Sequence, residues 1–243
     1  MTKSITVILP CFNAEKFIEK KIYVLHRKLK KLKIKFEIIL INDGSTDKTF
    51  LKILKIKKKF SYIKIINYKK NKGKSFITKE NINKTKYENI ILIDCDLPYF
   101  QVFEKVIKKL HSGYDLVLVN RRHKKSKVKK EIFHPYQIVR YFVGNLIGRI
   151  SCFILNINID GSDTQAGLKG IKKTKNLKGI KFISEKFFLD LEIIYLYLRA
   201  EKKLYSVPVV FKIPHESSIK IFSIKNFKII FELCKVIGHL IFN

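Results

Sequence analysis

The chain has 243 residues, 47% hydrophobic and 12% aromatic, which suits one large α/β domain, or a domain with a small appendage, and not a disordered chain. Its 51 Lys and Arg against 20 Asp and Glu give a formal charge of +31. That excess is either a solvated lysine coat, partly the product of an AT-rich coding sequence, or an attraction to lipid headgroups, nucleic acid or phosphorylated substrates. The four cysteines, Cys11, Cys95, Cys152 and Cys234, are scattered without CxxC spacing. They do not read as a zinc or disulfide framework and suit a reducing cytosol.

Residues 5–10 are an apolar run that reads as a buried strand and is too short for a signal segment. Over 15–32, Phe17, Ile18, Ile22, Leu25, Leu29 and Leu32 recur at helical spacing. A second strand, 36–42, runs into the turn Asp43-Gly44-Ser45-Thr46-Asp47 and another helix. A strand at 62–67, a helix at 74–86, a strand at 89–94, a helix at 100–111 and a strand at 115–120 follow. This alternation predicts a doubly wound, mostly parallel sheet, with any ligand beyond the carboxyl ends of the strands. Asn13, Asp43, Asn71, Asp94 and Asp96 all fall on that edge.

After about residue 122 the pattern changes. A basic stretch, 123–130, is either a loop beside the site or a surface insertion. It leads into an aromatic-rich helix over 136–155, where Arg140, Asn145 and Arg149 interrupt the roughly 18 apolar residues a spanning helix needs. Then come Asp160-Gly161-Ser162-Asp163, a strand at 165–172, a helix at 185–200, a strand at 204–211 and a helix at 223–242. In this last helix Ile224, Phe227, Ile230, Phe231, Cys234, Ile237 and Ile241 share a helical spacing, with Lys225, Lys228 and Lys235 elsewhere around the wheel. It suits core packing or the interface of an anionic membrane. The expected organisation is one domain over 1–222 and this amphipathic helix over 223–243. With no spanning segment, the expected location is cytoplasmic, peripheral on the cytoplasmic face of a membrane.

The run Ile90-Ile91-Leu92-Ile93-Asp94-Cys95-Asp96 carries the sharpest chemistry. Two carboxylates one residue apart at a strand end repel each other, and a divalent cation would stabilise both as anions. Hard oxygen ligands suit Mg2+ or Mn2+, and such an ion bridging a diphosphate makes it a better leaving group. The turn at 42–47 is either plain turn chemistry, with Ser45 or Thr46 as helix cap, or places Asp43 to accept a hydrogen bond from a base or ribose. Asn71-Lys72-Gly73-Lys74-Ser75 precedes a helix and suits phosphate, but lacks the full P-loop pattern of an ATPase.

Together, Pro10-Cys11-Phe12-Asn13-Ala14-Glu15, the segment 42–47, Asn71-Lys72-Gly73-Lys74 and Asp94-Cys95-Asp96-Leu97 resemble family 2 glycosyltransferases of the GT-A type, in order and at fitting distances. Asp163-Thr164-Gln165-Ala166-Gly167-Leu168-Lys169-Gly170, the stretch 188–192 and Val207-Pro208-Val209 resemble the dolichyl- and polyprenyl-phosphate sugar transferases within them. The similarity covers roughly residues 5–222. It implies a GT-A (Rossmann-like) fold, a mixed, mostly parallel sheet with helices on both faces, and a UDP- or GDP-sugar donor. It implies that Pro10, Asn13 and Glu15 line the nucleotide pocket, that Asp43 contacts the base and that Lys74 lies by the nucleotide. By the same resemblance Asp94 and Asp96 bind the metal, Arg122 faces the acceptor phosphate, and Asp163 and Gln165 face the sugar and acceptor. Inversion at the anomeric carbon is likewise implied. Ser75 stands where relatives often carry glycine and Ala166 where they often carry cysteine, departures that touch substrate detail. Many relatives also continue into spanning helices.

The expected reaction is therefore hexose transfer to polyprenyl or dolichyl phosphate, with Asp96, Asp163 and Arg122 as the catalytic set. A lipid phosphate is already ionised at neutral pH, its second pKa being about 6, so no strong base is needed. Transfer to a saccharide hydroxyl would instead require a general base, for which Asp163 is the candidate. Asp190 and Glu192 are possible orienting groups. An inactive, basic nucleic-acid-binding module is opposed by the intact Asp43, Asp94 and Asp96 and by the lack of any nucleic-acid motif, so no nucleic acid is expected. A nucleotidyltransferase would want a Gly-rich N-terminal loop that is absent.

Overall fold

Apolar runs separated by amphipathic helices build the first half of the chain. Strands β1 (Ser4–Cys11), β2 (Lys35–Asp43), β3 (Ile63–Tyr68), β4 (Asn89–Ile93) and β5 (Leu116–Asn120) alternate with helices α1 (Ile18–Lys31), α2 (Thr49–Lys59), α3 (Lys74–Ile82) and α4 (Phe103–His111). The second half adds β6 (Lys127–Val128), α5 (Pro135–Ile154), β7 (Leu168–Lys172), α6 (Leu189–Arg199), β8 (Leu204–Pro208), β9 (Val210–Phe211) and α7 (Lys225–Phe242). The computed structural model describes residues 3–129, 135–173, 182–213 and 225–242.

Seven strands form one sheet in the order β3-β2-β1-β4-β7-β5-β8. All neighbours are parallel except β7, which runs antiparallel between β4 and β5. Side chains alternate across each strand, so the sheet has two apolar faces. Ile5, Val7 and Leu9 pack with Ile18, Ile22 and Leu25 of α1 and Phe103 of α4. Ile8, Ile39 and Ile41 pack with Ile77 of α3, Leu189 and Ile193 of α6 and Val236 of α7. Each such fully buried side chain contributes about 1.5–3 kcal/mol. The result is the mixed, mostly parallel sheet covered on both faces that the sequence predicts.

Three boundaries shift for identifiable reasons. The strand expected from 165 begins at Leu168, because Asp163 and the residues after it form a turn around Arg121. The helix expected from 185 begins at Leu189, because the backbone N–H groups of 183–186 donate to the carboxylates of Glu192 and Glu232 instead of to helical carbonyls. The strand expected over 204–211 breaks at Val209, whose N–H donates to Ser126, and β9 pairs with β6 inside the basic stretch. Lys130, the end of that stretch, lies outside the described residues.

Helix α7 buries Val236 and Leu240 in the core but leaves Ile230, Phe231, Ile241 and Phe242 exposed. The division expected at 222/223 falls outside the described residues. Among the described residues no helix is long and apolar enough to cross a membrane.

Candidate functional site

The carboxyl ends of β1, β2 and β4 and the start of α3 converge on one edge of the sheet. Asn13 and Glu15 tie the loop after β1 to the turn after β2. Asn13 Oδ1 accepts from the Thr46 N–H at 2.9 Å, and Glu15 Oε2 from the Lys48 N–H at 2.7 Å. Asp43, at the end of β2, is buried and accepts from the N–H groups of Lys72 (2.7 Å) and Gly73 (3.0 Å). Its carboxylate thus builds the loop that leads into α3. Gly44 and Gly73 both have positive φ, and a Cβ at Gly44 would strike the backbone of Lys70 and Asn71.

Pro10, Lys74, Asp94, Gly167, Lys169 and Asp190 line a cleft at this edge. Lys74 Nζ lies 2.5 Å from Asp94 Oδ1, and both side chains are partly exposed. Burial disfavours the Lys74 ammonium, but Asp94 and Asp190 outweigh it and hold its pKa above the usual lysine range. Asp96 is exposed on the following turn, and its pKa is raised by desolvation and by Asp94. The turn continues through Leu97 and Tyr99, both at positive φ, a strained backbone beside the two carboxylates. Among the described residues no group of three or more His, Cys, Asp or Glu side chains gathers into a metal cage. Two carboxylates, with remaining positions left to phosphate and water, still fit how Mg2+ or Mn2+ is held, so Asp94 and Asp96 are the residues that would hold one.

Gly167 makes this arrangement possible. Its carbonyl accepts from the Asp94 N–H at 3.1 Å, and a Cβ on it would lie 2.4 Å from Asp94 Oδ2. That oxygen is the free end of a part-exposed side chain, which can swing aside. Gly167→Ala should therefore turn the Asp94 carboxylate away from Lys74 while lowering stability by no more than about 1 kcal/mol, and Gly144→Ala, in α5 with open space around it, should leave stability unchanged. Urea denaturation of the two variants checks this, and a loss of several kcal/mol in Gly167→Ala alone would show that the Asp94 turn cannot yield.

Behind the cleft, Lys169 is buried on β7 and pairs with Asp190 of α6 at 2.9 Å. Burial holds its pKa below the usual lysine value, and Asp190 opposes this only in part. The pairing makes Asp190 part of the cleft, whereas Glu192 is committed to the backbone of 183–184.

A second group stands at the end of β5. Asp163 is buried, and its carboxylate accepts from Arg121 Nε (2.8 Å), Nη2 (2.7 Å) and backbone N–H (2.7 Å). Burial would raise the Asp163 pKa, but Arg121 outweighs it and the carboxyl is held low. Tyr99 joins the two groups. Its phenol pKa is raised by burial, and it feels Arg121, Asp163 and Asp94. Arg122 turns the other way, with Nη2 donating to the Gly144 carbonyl of α5 at 3.1 Å. Gln165 is exposed, and only its N–H approaches Asp163, at 3.4 Å. Arg121, Tyr99, Lys169 and Gly167 were not singled out from the sequence. For Lys169 a signal exists, since a lysine inside an otherwise buried strand demands a carboxylate partner.

Residues 6–182 match the model of glycosyl transferase family 2. The chain belongs to that family. An uncharacterized glycosyltransferase of Synechocystis sp. is 32% identical over 130 residues, 52% of this chain and 40% of that protein. A dolichyl-phosphate beta-glucosyltransferase of Trichomonas vaginalis is 26% identical over 230 residues, 89% of this family 2 chain and 68% of its own length. A dolichol-phosphate mannosyltransferase of Pyrococcus furiosus is 25% identical over 210 residues, 86% and 56%. This chain thus spans well under two thirds of the cyanobacterial and archaeal proteins. Among solved structures, glucosyl-3-phosphoglycerate synthase from Mycobacterium tuberculosis, in complex with Mn2+, uridine-diphosphate and phosphoglyceric acid, superposes with a TM-score of 0.66 at 18% identity. The match covers 97% of this chain and 79% of that one. The likeness establishes the expected GT-A fold for this family 2 chain.

Proposed function

We propose that the chain is a hexosyltransferase that moves a hexose from a UDP- or GDP-sugar to polyprenyl or dolichyl phosphate. The observation that carries this reading is the Asp94–Asp96 turn at the carboxyl edge of the sheet, with the Lys74 ammonium already seated on Asp94. A position that holds one cation against Asp94, with Asp96 two residues on, suits a divalent ion and the diphosphate of a sugar donor. When bound, Mg2+ or Mn2+ would neutralise that diphosphate and make it a better leaving group. Lys74 adds positive charge beside it. Pro10, Asn13, Glu15 and Asp43 border the space a nucleotide would occupy.

A phosphate acceptor brings its own ionised oxygen and needs cations to place it rather than a base. Arg121 and Arg122 stand at the end of β5, and Asp163 fixes the first of them. Transfer to a saccharide hydroxyl would need Asp163 to take a proton. A buried carboxylate whose pKa is held low by Arg121 is a poor base, so the geometry favours the phosphate. Exposed Phe142, Leu146, Ile150 and Phe153 on α5, Phe231 and Phe242 on α7, and the +31 charge support docking at the cytoplasmic face of an anionic membrane. There a long isoprenoid could stay in the bilayer.

Incubation with UDP- and GDP-hexoses and Mn2+ or Mg2+, with polyprenyl phosphate or a soluble saccharide, tests the acceptor. Lipid-linked product is expected. Arg122→Ala should lower transfer to polyprenyl phosphate by the loss of a charge-assisted contact, about ten- to a hundredfold, while slow donor hydrolysis persists. Product with the saccharide and none with polyprenyl phosphate overturns the acceptor assignment.

A further inference from the structure

Glu232 is the only acidic residue of α7. Its Oε1 accepts three hydrogen bonds, from Ser184 Oγ at 2.9 Å and from the N–H groups of Glu185 at 2.8 Å and Lys186 at 2.7 Å. Its Oε2 is buried with no hydrogen-bond partner among the described residues. Packing α7 on α6 would require only apolar contact. A carboxylate placed here with one oxygen unpaired points to a task in holding the 184–186 loop.

That loop holds the start of α3. The first N–H groups of a helix have no partner inside it. Here the Ser75 N–H donates to the Lys186 carbonyl at 3.2 Å, and the Phe76 N–H to the Glu185 carbonyl at 2.8 Å. Ser75 Oγ in return accepts from the Leu189 N–H at 3.2 Å. Gly73 lies so close that a Cβ on it would be 2.5 Å from the Glu185 carbonyl oxygen. Lys74 is the first residue of α3, and its ammonium is the group seated on Asp94. A continuous line of hydrogen bonds therefore runs from α7 through the 184–186 loop to the backbone just after Lys74, with Gly73 packed close against the same loop on the other side.

We propose that Glu232 is a positioning residue for the donor site: by fixing the 184–186 loop against the first turn of α3, it sets where Lys74 stands relative to Asp94. Helix α7 is then part of the donor machinery and not an appendage to it. The proposal rests on the donor half of the function proposed above and is independent of the acceptor.

The test is a double-mutant cycle read by calorimetry, titrating the protein with UDP and with GDP in the presence of Mn2+. Glu232→Ala should weaken binding of the preferred nucleotide by about tenfold, and Lys74→Met should weaken it more. Because Glu232 acts through Lys74, Glu232→Ala should have almost no further effect in the Lys74→Met background. Glu232→Gln, which keeps an oxygen acceptor, should retain most of the affinity, and Glu232→Leu, which keeps the bulk but has no acceptor, takes the place of the alanine variant in the cycle if that one does not fold. Hydrogen exchange should quicken at the Ser75 and Phe76 amides in Glu232→Ala. Equal losses in both backgrounds, or an unchanged affinity, overturn the proposal. A wild-type protein that binds neither nucleotide overturns the donor reading itself, and this inference with it.

Discussion

Asp163→Asn should cost the fold about 3–5 kcal/mol, the usual penalty for removing one partner of a buried ion pair. The side chain of Asp163 is fully buried and that of Arg121 only 21% exposed. Both oxygens of the carboxylate are engaged by Arg121, so the substitution leaves a guanidinium without its counter-charge in a site largely closed to water. The pH dependence has a definite sign. Arg121 depresses the folded-state pKa of Asp163, so its contribution is present in full above the unfolded carboxylate value, about 3.9. It is lost as pH falls through the depressed folded value. Urea denaturation of wild type and variant should show the full gap at neutral pH and a narrowing gap below about pH 4. A gap under about 1 kcal/mol at neutral pH would mean that the pair behaves like an exposed surface bridge.

Asp94→Asn should do the reverse, leaving the fold nearly intact while lowering sugar transfer by about two to three orders of magnitude. The Lys74–Asp94 pair has side chains 41% and 37% exposed, and a pair that open adds only about 0–1 kcal/mol of stability. The backbone bond from Asp94 N–H to Gly167 does not depend on the side chain and should survive. What disappears is a negative charge that would share a divalent ion with Asp96 and hold Lys74 in register. Steady-state transfer assays alongside thermal unfolding check both halves. Transfer within a few-fold of wild type would remove Asp94 from the chemistry.

The elements that position the carboxyl edge of the sheet are legible in the sequence because their signals are local. The apolar runs of β1, β2 and β4 end at Cys11, Asp43 and Ile93, and Asp94 and Asp96 follow the last of these directly. Long-range pairing was not legible. Nothing in the run of β7 says that it enters antiparallel between β4 and β5, since that order is set by partners far along the chain. Arg121 and Arg122 are neighbours, and which of them turns inward is decided by Asp163, 42 residues beyond Arg121. That the Asp43 carboxylate accepts from Lys72 and Gly73 is visible only once β2 and the 71–74 loop are side by side. Lys169 with Asp190, and Glu232 with the 184–186 loop, join segments whose separate patterns carry no mark of each other.

On the proposed function, the edge formed by Asp94, Asp96 and Lys74 acts as a cation-dependent site for a nucleoside diphosphate. Calorimetric titration of the wild-type protein with UDP and with GDP, each with and without Mn2+ or Mg2+, tests it most directly. One of the two nucleotides should bind at least about tenfold more tightly when the divalent ion is present, as expected when a cation bridges diphosphate and carboxylates. Equal affinities with and without the ion, for both nucleotides, would contradict the account.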